Sequence, residues 1–119
     1  MDYSKLIRSE EIAKLEANWT EQLPRKGRKE IDYQPVVLLR IKFTSIAWLL
    51  TEKEPGGSMC FGLCDMGQGY PEIGYVDLEE LASTPLPPGY QLQQETDFIA
   101  DKPLSKYASA ARSHGAINA

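Results

Sequence analysis

Residues 35–64, PVVLLRIKFTSIAWLLTEKEPGGSMCFGLC, decide the fold. Three apolar runs follow one another, separated by short breaks. Residues 36–43 are β-branched and apolar, with Pro35 at the entry, and read as a strand. Val37, Leu39, Ile41 and Phe43 share one face, and Arg40 and Lys42 point the other way. A turn at Thr44-Ser45 leads to a second strand, IAWLLT, 46–51. EKEPGGS is a turn by its charges, Pro55 and the Gly56-Gly57 pair, which leaves Glu52, Lys53 and Glu54 as a solvated face. The third strand, MCFGLC, 59–64, is apolar on both faces, so it belongs inside a sheet covered on both sides. Trp48 and Phe61 are expected to meet in the core from adjacent strands. Turns this short between consecutive strands dictate an antiparallel meander, because parallel neighbours need long crossovers.

Outward from this stretch, the Gly-rich loop DMGQGYPE leads to a fourth strand, IGYV, 73–76. Asp77 and Glu80 have capping-box spacing and open a short helix through about residue 82. Pro88-Gly89 fits a type II turn, and residues 90–99 alternate loosely as a fifth, more exposed strand. Pro103 at the first helical position opens the last helix, with Leu104, Tyr107, Ala108 and Ala111 on one face and Gly115 ending it. Before the strands, Ser9 reads as an N-cap, and Ile12, Leu15 and Trp19 line one helical face. Asn18 is a candidate left-handed stop, and the helix should be over by about residue 22. The class is therefore α+β: a mostly antiparallel four- to five-stranded sheet, a meander, packed with two or three helices.

The chain has 119 residues, which points to a single domain, 1–119, with an N-terminal helix and basic loop over 1–34 and sheet plus C-terminal helix over 35–119. The charged opening MDYSKLIRSEE is unlike a secretory signal, and no apolar run approaches the roughly 20 residues that span a bilayer. A cytoplasmic protein with no membrane role is expected. The net charge is −4, and residues 31–100 hold 3 basic and 10 acidic residues. An acidic middle repels phosphate, so nucleic acid is not an expected partner. The one basic cluster, Arg25, Lys26, Arg28 and Lys29 around Gly27, carries no interleaved aromatic and reads as a solvated connection.

One histidine rules out a multi-histidine metal site. Cys60 and Cys64 on a straight strand stand about 13 Å apart, beyond the roughly 7 Å that a disulfide tolerates, so both are expected as buried, reduced thiols. Gly67-x-Gly69 lacks the helix and the Lys-Ser/Thr pair of phosphate-binding loops. No cofactor, no metal and no catalytic constellation is expected. Asp65, Tyr70, Glu72 and Tyr75 around the Gly-rich loop are the candidate binding residues. Two carboxylates beside two phenols suit either a partner surface or a small acid/base or metal site.

The blocks PVVLL (35–39), WLLTE (48–52), FGLCDMGQGYPEIGYVDLEEL (61–81) and KPLSKYASAARSHGAI (102–117) resemble, in order and spacing, one small bacterial family catalogued as a domain of unknown function. Members are often encoded on plasmids and other mobile elements. The resemblance implies an accessory protein of mobile DNA and carries no catalytic residue. With the residues, it points to a small accessory or interaction module with a protein partner, self-association through the basic loop 25–29 included. The alternative is a small enzyme or ligand- or metal-binding protein with its site near the loop 65–75.

Overall fold

A computed structural model describes residues 5–119; the first four residues of the charged opening lie outside the described residues. The element order is α1 (Ser9–Gln22), a 3-10 turn (Leu23–Arg25), β1 (Val37–Ile41), β2 (Ala47–Lys53), β3 (Met59–Asp65), β4 (Glu72–Asp77), α2 (Leu78–Ser83), β5 (Leu92–Gln94) and α3 (Leu104–His114). The five strands form one antiparallel sheet in the order β4-β3-β2-β1-β5. The fold is α+β, a four-stranded meander whose fifth strand returns to the far side of β1. Among the described residues no helix is long and apolar enough to cross a membrane.

The sheet is covered on both faces. On one, Ile7, Leu15, Val37, Leu39, Trp48, Leu50, Cys60 and Leu78 form a cluster under α1 and α2. On the other, Leu38, Leu49 and Leu63 meet Leu104, Tyr107, Ala108 and Ala111 of α3, closed by Ile117. Two-sided burial is why β1, β2 and β3 read as continuous apolar runs. Trp48 and Phe61 consequently do not meet. Trp48 pairs with Cys64 across the ladder and faces α1, whereas Phe61 is half-buried against the α3-side cluster.

Several local expectations are corrected. Arg8, not Ser9, is the N-cap of α1; its carbonyl accepts from Glu11 and Ile12 N–H, and its side chain pairs with Glu11 instead of capping. Asn18 does not stop the helix, because its side-chain amide is used elsewhere, donating to the Thr51 carbonyl. β1 ends at Ile41, and Phe43 sits in the hairpin turn at φ +70°, 78% exposed. β5 is only three residues long. Pro103 caps α3 from outside its first turn, and Gly115 ends the helix at φ +78°.

Candidate functional site

The largest departure from the sequence reading lies at the end of β2. Glu52 and Lys53 are not solvated: they are 2% and 1% exposed and continue the strand. The cause is a β-bulge. Leu50 pairs with Gly62 and Glu52 with Phe61, so Thr51 is an extra residue on β2. A bulge reverses the alternation of every residue after it. Lys53 thereby turns toward α1, where its ammonium meets the Glu16 carboxylate at 2.8 Å. Glu52 turns with Phe61 into a cleft on the α3 side. The bulge is itself tied down, since the Thr51 carbonyl accepts from Asn18 and its hydroxyl donates to Glu52 Oε2 at 2.8 Å.

Glu52 lies in a cleft of about 280 Å³ whose walls include Tyr33, Phe61, Ile73 and Leu104. Burial raises the Glu52 carboxyl above its ordinary range, opposed by the Thr51 hydroxyl and the Lys26 charge and reinforced by Glu30. The segment that closes the cleft is fastened by polar bonds. Gln22, buried at the end of α1, donates to the Ile31 carbonyl and accepts from the Ile31 N–H. Tyr33 donates to Glu21 at 2.7 Å; burial and that carboxylate hold its hydroxyl well above the usual phenol range, so it stays a donor. Asp32 accepts from the Ser105 N–H and hydroxyl, capping α3 from a distance where Pro103 offers no side-chain oxygen.

Beside the cleft, three aromatic side chains converge. Phe61 and Tyr75 meet edge-on with centroids 5.1 Å apart, and Trp19 meets Tyr75 at 6.3 Å. The Lys26 ammonium stands 5.8, 5.3 and 5.4 Å from the Trp19, Phe61 and Tyr75 ring centres and donates to the Tyr75 hydroxyl at 2.9 Å. That bond, with the Glu52 and Glu30 charges, raises the Lys26 pKa against the lowering effect of burial. This geometry can hold a cation between rings and carboxylate.

The four candidate residues of the loop do not share one concavity. Asp65 is fully buried, accepting from Gly67 N–H and Ile117 N–H at 2.9 Å each, so it fixes the loop and ties down the C-terminal tail. Tyr70 is 79% exposed on the loop, and Glu72 is exposed at the start of β4. Only Tyr75 reaches the aromatic group. Among the described residues no three His, Cys, Asp or Glu side chains gather as a metal site. The cysteines are free thiols; burial pushes Cys60 up to about 12 and the half-buried Cys64 to about 11.

Trp19, Lys26, Glu52 and Phe61 escaped the sequence reading. Trp19 and Phe61 sit in apolar patterns that signal core, and Lys26 in a loop that signals solvent. No local signal marked Glu52: IAWLLT and MCFGLC are six residues each, so pairing them in full gives no reason to run the second strand through residues 52 and 53.

A family model described as a protein of unknown function (DUF2958) matches residues 6–118. No curated protein and no solved structure matches the chain.

Proposed function

The chain belongs to the DUF2958 family of proteins of unknown function, and from that premise we propose that it is a small cytoplasmic accessory module that binds a protein partner along β4 and the loop 65–75. The observation that carries this reading is the β4 edge. β4 is the outermost strand, six residues long, and its sequence EIGYVD contains neither the Lys nor the Pro that commonly blunts an edge. It offers backbone pairing to an added strand. Tyr70, Ile73 and Tyr75 are exposed on and beside it, and tyrosine brings large contact area at low entropic cost. The opposite edge, β5, is too short to offer the same template.

Glu72, Asp77, Glu79 and Glu80 around this edge favour a basic partner. A second copy of the chain is one such partner, through the exposed Arg25, Arg28 and Lys29 of the basic loop. The four-block resemblance supports a bacterial setting on mobile DNA. Asp65 belongs to the binding surface indirectly, by holding the loop that carries Tyr70.

The experiment is recovery of partners from the native host by the whole chain, alongside its oligomeric state by light scattering. Replacing Tyr70 and Glu72 by Ala, or Ile73 by Lys, should abolish a specific partner or the self-association while thermal melting stays within a few degrees. Unchanged recovery and unchanged mass with all three variants would refute the edge reading. A second reading, a ligand-binding protein or small enzyme, is favoured by one observation: the buried Glu52 in its cleft. A bound ligand lost in Glu52→Gln but kept in the β4 variants would favour it.

A further inference from the structure

Four separate elements converge on one ammonium group. Trp19 comes from α1, Glu52 from β2, Phe61 from β3 and Tyr75 from β4, and the cation between them is Lys26, carried on the exposed loop that follows the 3-10 turn. The Trp19 and Phe61 ring centres lie within the roughly 6 Å over which a cation is attracted to an aromatic ring, and Tyr75 meets the ammonium with its hydroxyl oxygen at 2.9 Å, not with its ring face. We propose that this cage is a binding site for an external alkylammonium group, and that Lys26 occupies it in cis until the ligand displaces it.

The walls and the occupant differ in how firmly they are held. Phe61 is on a strand paired on both sides, Tyr75 on its neighbour, and Trp19 on a fourteen-residue helix. Lys26 is exposed and precedes Gly27, which takes φ +73°. The bonds that fasten this segment, Gly27 N–H to Glu30 and the reciprocal pair between Gln22 and Ile31, do not involve the Lys26 side chain. Its ammonium can therefore swing out while the segment stays anchored. The rings meet one another at interplanar angles of 63° and 68°, so they wall a compact cation on several sides. A planar guanidinium would instead stack on one ring, which selects ammonium over arginine. Glu52 adds the negative charge that keeps the cage attractive once Lys26 has left. The inference goes beyond the partner reading, because the cage takes a cation whether or not a chain adds to β4.

Intramolecular competition gives the test its sign. A tethered ammonium competes at millimolar effective concentration or above, so removing it should tighten binding of an external cation. The chain has two tryptophans, and their indole N–H signals separate the cage from the core, where Trp48 is buried. We would titrate the native chain and Lys26→Ala with tetramethylammonium chloride, with sodium chloride controlling ionic strength. In Lys26→Ala the Trp19 signal should move saturably and the Trp48 signal should not, with a midpoint at least ~10-fold below that of the native chain. Adding Tyr75→Ala should weaken binding about tenfold or abolish it, and adding Glu52→Gln should weaken it severalfold. A capped peptide bearing trimethyl-lysine that binds tighter than tetramethylammonium would assign the cation to a protein chain; equal affinity would assign it to a small molecule. No saturable shift in Lys26→Ala, or equal midpoints with and without Lys26 or the Tyr75 ring, would overturn the proposal. Such a result with partner recovery intact would leave the β4 reading standing.

Discussion

Gly62 and Gly74 face each other across β3 and β4, yet only one of them has to be glycine. A Cβ on Gly62 would stand 1.9 Å from the Leu49 carbonyl oxygen and 2.9 Å from the Leu50 Cα, both backbone atoms next to the bulge. A Cβ on Gly74 would meet nothing within 4 Å. Gly62→Ala should therefore cost more than about 4 kcal/mol, while Gly74→Ala should stay within about 1 kcal/mol; chemical denaturation of both variants checks the contrast. Glu52 supplies a second test at this scale. Burial raises its folded pKa above the ordinary 4.5. In the window that opens at 4.5 and runs upward to the folded value, the native state holds more protons than the unfolded chain, so stability falls as pH rises. Glu52→Gln should abolish that share of the decline, giving a flatter stability profile from weakly acidic to neutral pH and a neutral-pH stability no lower than that of the native chain. A variant profile as steep as the native one would show that Glu52 does not carry the effect.

At the scale of elements, the bulge at Thr51 sets which face Glu52 and Lys53 take. Were Thr51 paired regularly, Glu52 would be aimed under α1 and Lys53 away from Glu16; deleting Thr51, the extra residue, instead leaves Glu52 opposite Phe61 and Lys53 opposite Cys60, on the faces they now take. Circular dichroism of the deletion should therefore stay native-like, with a loss of stability set by the Asn18 and hydroxyl bonds that Thr51 makes; an unfolded deletion variant would show that the bulge itself is required. Thr51→Val keeps the shape and removes the hydroxyl bonds to Glu52 and the Phe61 carbonyl, at a cost of roughly 1–3 kcal/mol. The elements themselves were legible because their signals are local. Alternation, Pro35, Pro88-Gly89 and Gly115 each act within a few residues, and Asp77 caps α2 as its spacing indicates, accepting from Glu79 N–H at 3.0 Å. The bulge was not legible, since it depends on a pairing register between two strands. The cleft follows from it and was hidden for the same reason. The cap of α3 by Asp32 bridges |i−j| = 73 and has no local signature at all.

Across the whole molecule, the two apolar clusters lie on opposite faces of one sheet and share its strands. Leu38 and Leu49 face α3 while Leu39, Trp48 and Leu50, their direct neighbours, face α1. Neither layer can be stripped without exposing strands that the other layer needs, so we propose that residues 5–119 unfold as a single cooperative domain. Far-ultraviolet circular dichroism, which follows all elements, and tryptophan emission, which follows the α1 side, should give coincident denaturation curves. The cysteines resolve this further. Cys60 is fully buried and pairs with Lys53 and Val76, whereas Cys64 is half-buried and pairs with Trp48 and with Glu72 at the start of the edge strand. Their thiol pKa values of about 12 and about 11 leave little thiolate in the native state near neutral pH. Labelling of Cys60 should then wait for global unfolding and accelerate with denaturant as steeply as the equilibrium transition. Labelling of Cys64 should be faster and less dependent on denaturant, because fraying of β4 alone exposes it. Equal, rapid labelling of both under native conditions would mean that β4 and α1 open independently of the rest, and the single-domain proposal would fall with it.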